Sequence, residues 1–111
     1  MNDRLNGILG MARRAGRLIA GFDATLDSVK AKKAQLVLLA ADLSPKTEKE
    51  LRFAAGAAVP FFTIGLSKEE IGHAIGSGKS VGVIATEDTG FATALKNAAA
   101  PVNEEDAYGC Q

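Results

Sequence analysis

The chain has no tryptophan, one cysteine, one histidine, one tyrosine and three prolines. Each scarcity removes a class of protein. A lone thiol, Cys110, cannot close an internal disulfide, so a reducing cytoplasm is the expected home. The lone histidine, His73, has no Cys, His or paired acid at metal-ligand spacing. That excludes the common zinc motifs and leaves no legible Ser-His-Asp arrangement. No run approaches the ~20 apolar residues that span a bilayer. Arg4, Arg13 and Arg14 interrupt the N-terminal segment where a signal peptide would need an apolar stretch. The expectation is a soluble, non-enzymatic protein with no metal, no cofactor and no membrane partner.

What is present fits one domain. The 111 residues, 47% of them apolar, suffice for one core and not two. Much of the apolar content is alanine and glycine, which suits close helix packing. Residues 1–100 read as the domain. Residues 101–111, "PVNEEDAYGCQ", carry no periodic pattern and read as a mobile acidic tail. The formal charge is zero, yet it is unevenly spread. Residues 1–56 hold ten Lys/Arg against six Asp/Glu, a net +4, and the remainder is −4. A basic half can meet a nucleic acid even when the total cancels, although a mixed surface with an acidic tail has the same composition.

Periodicity orders the elements. Leu5, Ile8, Leu9 and Ala12 mark one face of a first helix that ends near Ala15-Gly16. Leu18 to Ala20 is a short strand. Leu26 and Val29 belong to a second helix that runs to about Lys32, with Asp23 suited to cap it. Leu36 to Ala41 is an unbroken apolar run, as in a strand buried on both faces. Ser44-Pro45 pairs a capping side chain with a first-turn proline, and the helix it opens turns Leu51, Ala54, Ala55 and Ala58 inward. Val59 to Ile64 is a third strand. Ser67 and Glu70 have capping-box spacing, ahead of a helix that buries Ile71, Ala74 and Ile75 and stops at Gly76. Val81 to Ala85 is the last strand. Glu87-Asp88 suits the start of a fifth helix carrying Phe91, Leu95 and Ala98. Strands alternating with helices predict an α/β fold, a three-layer α/β/α sandwich on a parallel or mixed sheet.

The chemistry-bearing motifs are few. "GSGKS", Gly76 to Ser80, resembles the end of a phosphate-binding P-loop. His73 stands where that motif needs its first glycine, and the segment follows a helix instead of opening one. It reads as a glycine loop presenting Lys79. Three places can hold an anion: Gly21-Phe22-Asp23, Ser44-Pro45 and Ser77-Gly78-Lys79-Ser80. In an α/β sandwich such loops meet at one end of the sheet. Helix N-termini offer free N–H groups there, and Lys79 adds charge. Lys30, Lys32, Lys33 and the Arg13, Arg14, Arg17 group are further phosphate contacts, or else solvated helix faces.

Four segments carry a resemblance: "MARRAGRLIAG" (Met11–Gly21), "AQLVLLAADLSPKT" (Ala34–Thr47), "VPFFTIGLSKEEIGHAIG" (Val59–Gly76) and "VGVIATEDTGFA" (Val81–Ala92). In their order and spacing the chain resembles the kink-turn RNA-binding ribosomal-protein superfamily (L7Ae/L30e-like). Its likeness is greatest to the small bacterial YlxQ-type ribosomal-protein-like members. The resemblance implies a mixed four-stranded sheet and an RNA contact at the opening of the second helix. There the family pattern Gly-x-Asn-Glu-x-x-Lys grips sheared G·A pairs and backbone at a bent RNA. Gly21 keeps the glycine, while Asp23, Ala24 and Asp27 stand at the asparagine, glutamate and lysine. The loop Ser77, Gly78, Lys79 matches the family's loop contact, Ser44 falls at its contact at the start of the third helix, and Lys68 falls near a further basic contact. The implied function is binding of ribosomal or kink-turn-like RNA through Gly21, Phe22, Asp23, Ser44, Lys68, Ser77, Gly78 and Lys79, with ribosome-associated proteins as neighbours; Lys30 and Lys33 join these contact residues on the charge reading above, as general phosphate contacts. Asp23, Ala24 and Asp27 keep open a second reading, a protein-interaction module that retains the fold without the RNA grip.

Overall fold

The protein is described by a computed structural model that covers residues 3–99. Its elements are α1 (Asp3–Arg14), β1 (Ile19–Ala20), α2 (Phe22–Lys30), β2 (Leu36–Leu39), α3 (Pro45–Ala55), β3 (Phe61–Thr63), α4 (Lys68–Ala74), β4 (Val83–Thr86) and α5 (Thr89–Ala99). The acidic tail lies outside the described residues.

The strand order β1-β4-β2-β3 makes a mixed four-stranded sheet. β2 and β3 are parallel, with Val37 opposite Phe61. β4 runs antiparallel to both of its neighbours, pairing Ala85 with Ile19 on one side and with Val37 on the other. Side chains alternate across a strand, so the apolar run of β2 feeds two cores. Leu36 and Leu38 pack with Ile84 under α1, α4 and α5, where Leu5, Leu9, Ile71 and Leu95 are buried. Val37 and Leu39 pack with Val83 and Ala85 under α2 and α3, around Val29 and Leu51. The outcome is the α/β/α sandwich that the alternation of elements predicts.

The element starts differ from the expectation in an instructive way. α2 begins at Phe22, directly after Gly21, which is the N-cap and has no side chain to offer. Asp23 therefore lies within the first turn and is not the cap. Its charge still suits the positive end of the helix dipole. Ser44 and the Ser67–Glu70 capping box behave as predicted. The Ser44 hydroxyl accepts from the Lys46 N–H at 3.2 Å, and the Ser67 hydroxyl accepts from the Glu70 N–H at 3.1 Å. Asp88 caps α5, its carboxylate accepting from the Phe91 N–H at 2.9 Å. Ala58, expected inside, is exposed, because α3 ends at Ala55 and the chain turns at Gly56.

Two buried threonines contrast. The Thr86 hydroxyl donates to the Arg17 carbonyl at 2.7 Å and accepts from the Asp88 N–H at 3.1 Å, tying the start of β1 to the end of β4. The Thr25 hydroxyl on α2 is fully buried and has no hydrogen-bond partner. An unpaired buried hydroxyl opposes folding, whereas a paired one leaves its partners stranded when it is removed. Thr86→Val is therefore expected to cost about 1–3 kcal/mol in urea unfolding, while the same change at Thr25 is expected to be neutral or stabilising. Equal losses at both positions would contradict this account.

Candidate nucleic-acid interface

Strand direction decides which loops meet. β1 and β2 run the same way, because both are antiparallel to β4, and β3 runs with β2. The segments that follow these strands thus emerge at one edge, and the segment that precedes β4 arrives there too. Backbone hydrogen bonds stitch this edge together. The Gly21 N–H donates to the Val83 carbonyl at 2.8 Å, and the Ala40 N–H to the Gly82 carbonyl at 2.9 Å. The Ala41 N–H donates to the Leu66 carbonyl at 2.8 Å, and the Val81 N–H to the Lys68 carbonyl at 3.0 Å. Gly21, Ser44, Lys68 and the Ser77–Ser80 loop, scattered in sequence, are brought to one edge.

Each contributes something distinct. Gly21 has φ 100° and ψ 161°, a conformation nearly confined to glycine. It starts α2 with an uncapped first turn, so N–H groups there are free to meet an anion. Ser44 holds the first turn of α3, and its hydroxyl can still donate. Lys68 opens α4 and is exposed, and its N–H donates to the Asp42 carboxylate at 2.8 Å. That bond fastens the α4 start to the segment after β2.

The loop before β4 is fixed from within and from below. Gly76 and Gly78 have φ of 68° and 78°. The Ser77 hydroxyl donates to the Lys79 carbonyl and accepts from the Lys79 N–H. The Ser77 N–H reaches the Gly72 carbonyl at 2.9 Å. The loop rests so closely on α4 that a Cβ at Gly72 would lie 2.0 Å from the Lys79 carbonyl oxygen. Gly82 likewise makes room for Leu43, whose Cδ1 would lie 2.8 Å from an added Cβ, and for the Lys68 stem. Lys79 is held facing a shallow cleft shared with Glu69, His73, Gly76, Gly78 and Ser80.

The charge at this edge is mixed. Lys68 and Lys79 are exposed cations, Asp23 is an exposed anion in the first turn of α2, and Asp27 is exposed further along that helix, beside Ser28, Lys33 and Glu87. Ala24 between them is exposed and offers no polar atom. Lys30 and Lys33 do not join the edge. α2 carries the chain from the end of β1 to the start of β2, so its last turn lies at the opposite end of the sheet. The Gln35 N–H there donates to the carbonyl of Thr86, at the far end of β4, at 2.8 Å. Arg17 also lies at that far end, with its guanidinium 3.8 Å from the Asp88 carboxylate.

Residue patterns alone did not single out Asp42, Gly72 or Gly82. Gly72 did carry a signal. A glycine inside a helix costs about 1 kcal/mol against alanine, which makes a close approach worth seeking, although Gly7 inside α1 has open space around it. Asp42 carried none, because its partner is a backbone N–H 26 residues away.

A mixed sheet sandwiched by helices, with a glycine-opened helix and a lysine-bearing loop at one edge, defines a class of compact α/β binding proteins. Comparison with known proteins places the chain within it. Residues 3–96 match the model of the ribosomal protein L7Ae/L30e/S12e/Gadd45 family, and the chain belongs to that family. The RNA-binding protein YlxQ of Enterococcus faecium is 35% identical over 91 residues, covering 80% of this chain and 84% of that protein. YlxQ of Bacillus subtilis is 34% identical, covering 79% and 87%. The large ribosomal subunit protein eL30B of Schizosaccharomyces pombe is 30% identical, covering 79% and 76%. A Bacillus halodurans protein of unknown function superposes with TM-score 0.78 at 29% identity, covering 88% of this chain and 97% of that one. The Giardia lamblia 15.5kD RNA binding protein shares the fold with TM-score 0.70 at 24% identity, covering 86% and 80%.

The Gly72 contact yields a sharp expectation. Helix propensity alone predicts that Gly72→Ala stabilises by about 1 kcal/mol. The 2.0 Å conflict predicts the reverse, since only backbone movement relieves it. Gly72→Ala should lower the melting temperature and speed amide exchange at Ser77 and Val81. A raised melting temperature would refute the close approach.

Proposed function

We propose that the protein is a non-enzymatic, cytoplasmic RNA-binding protein that grips structured RNA, ribosomal or kink-turn-like, with the edge formed by Gly21–Asp23, Ser44, Lys68 and Ser77–Lys79. The observation that carries this reading is the convergence of those segments at one edge of a fold whose family is shown. Two curated relatives of the chain are named as RNA-binding proteins. An uncapped helix start, a lysine-bearing loop and a second lysine at the head of α4 suit a ribose-phosphate backbone.

The same edge argues for a particular kind of binding. An ionised aspartate accepts hydrogen bonds but cannot donate them, and Ala24 can do neither with its side chain. Asp27, one turn further along α2, adds a negative charge where a cation would favour a polyanion. Base reading at sheared pairs is thereby weakened, and contact with the backbone through Lys68, Lys79 and N–H groups dominates. Affinity of that kind falls steeply with salt. Ribosome-associated proteins would be its neighbours on such an RNA. Exposure of Asp23, Ala24 and Asp27 together is what favours the second reading, a protein-interaction module on this fold.

A gel-shift titration with a kink-turn RNA and a straight duplex control, run over a range of salt, tests the proposal. Lys79→Ala is expected to weaken binding and to reduce the slope of log K against log salt by about 1. Asp27→Lys is expected to tighten binding several-fold at low salt. Absence of binding by the unmodified protein at low salt would favour the protein-interaction module instead.

A further inference from the structure

The last turn of α2 stands apart from the interface just described. Ala31 is the C-cap, and the chain then closes a full Schellman motif. The Lys33 N–H donates to the Ser28 carbonyl at 3.0 Å, and the Lys32 N–H to the Val29 carbonyl at 3.1 Å. This motif puts its next residue in the left-handed region, which glycine occupies without strain. Here that residue is Lys32, with φ 62°, and no other non-glycine residue among those described has a positive φ. Glycine would make the same two hydrogen bonds at lower cost. A lysine at such a position points to a use for its side chain.

Its surroundings say what that use is. Lys30, Lys32 and Lys33 are all exposed within four residues of chain. Neither ion pair among the described residues involves them, whereas Arg17 and Arg52 are each engaged by a carboxylate. Two acids do face this corner. Asp27 and Glu87 line a depression beside Lys33, and the Glu87 carboxylate is held by the Ser28 hydroxyl at 2.7 Å. They temper Lys33 and leave Lys30 and Lys32 uncompensated. A cation at a helix C-terminus also suits the helix dipole, which accounts for Lys30 but not for the strained Lys32.

We propose that Lys30, Lys32 and Lys33 form a second RNA-backbone contact, at the end of the sheet opposite the Gly21–Lys79 interface. This rests on the RNA-binding reading above. The nine residues of α2 separate the two contacts by about 13 Å along the helix axis. One RNA can therefore touch both, and the second contact is a pure phosphate site with no base reading. It adds affinity and salt dependence, not specificity.

Lys32→Gly alone, the combined Lys30→Ala, Lys32→Gly, Lys33→Ala variant and a triple arginine variant test it, with Lys79→Ala for comparison. The probe is the kink-turn RNA of the gel shift, and thermal unfolding is measured on each variant. Lys32→Gly should hold or raise the melting temperature while weakening binding. The combined variant should bind about 10-fold more weakly near physiological salt, with the salt slope reduced by about 2–3. The arginine variant should behave as the unmodified protein, since the charge is what acts. If the combined variant binds unchanged while Lys79→Ala weakens binding, the second contact is refuted and the first interface stands. Weaker binding with an unchanged salt slope also refutes it. If the unmodified protein does not bind at all, both readings fall.

Discussion

The structure depends on one reversal of direction. β4 enters the sheet between β1 and β2 and runs against both. Its paired hydrogen bonds hold the middle of the molecule, and Val83, Ile84 and Ala85 supply apolar side chains to both cores. Were β4 parallel to its neighbours, the loop bearing Lys79 would emerge at the far end, beside Arg17 and Lys33. Because it is antiparallel, that loop lies beside Gly21 and the start of α4. The interface is a product of sheet topology before it is a product of any side chain.

The helices then decide the chemistry at each end. α2 starts with a glycine cap and is followed by a left-handed lysine, Lys32, and the charges run from Asp23 and Asp27 on the helix to Lys30 at its end and Lys32 and Lys33 just beyond it. This order follows what a helix dipole favours, acids first and bases last. It is also unusual for a helix whose start is meant to meet a polyanion. The chain resolves the conflict by leaving recognition near Gly21 to N–H groups and to lysines borne on other elements. Lys68 and Lys79 approach from α4 and from the loop after it, each positioned by backbone bonds instead of ion pairs.

Much of this was legible in the residues, for reasons that differ by element. The Ser44 and Ser67–Glu70 caps are local in sequence, so spacing of three residues or fewer reveals them. The β2 run was readable because a doubly buried strand leaves a continuous apolar trace. The start of α2 departs from its local signal: Asp23 is a good capping residue, yet Gly21, paired with Val83, is the cap. The convergence of the loops followed from the fold class. The separation of Lys30 and Lys33 from the rest needed the direction of α2 across the sheet. Contacts such as Lys68 to Asp42, or Gly72 beneath Lys79, join residues whose pairing no local pattern encodes.

Among the described residues the sheet is bordered by β1 and β3, and both are brief. β1 is two residues long, and β3 is three residues long with the exposed Pro60 directly before it. Proline withholds an N–H, and such short strands offer little ladder to an incoming chain. Growth by strand addition, a common route by which small sheets aggregate or recruit extended peptides, is thereby disfavoured. Among the described residues, the loops and helix termini at the ends of the sheet offer partners what its short side strands do not.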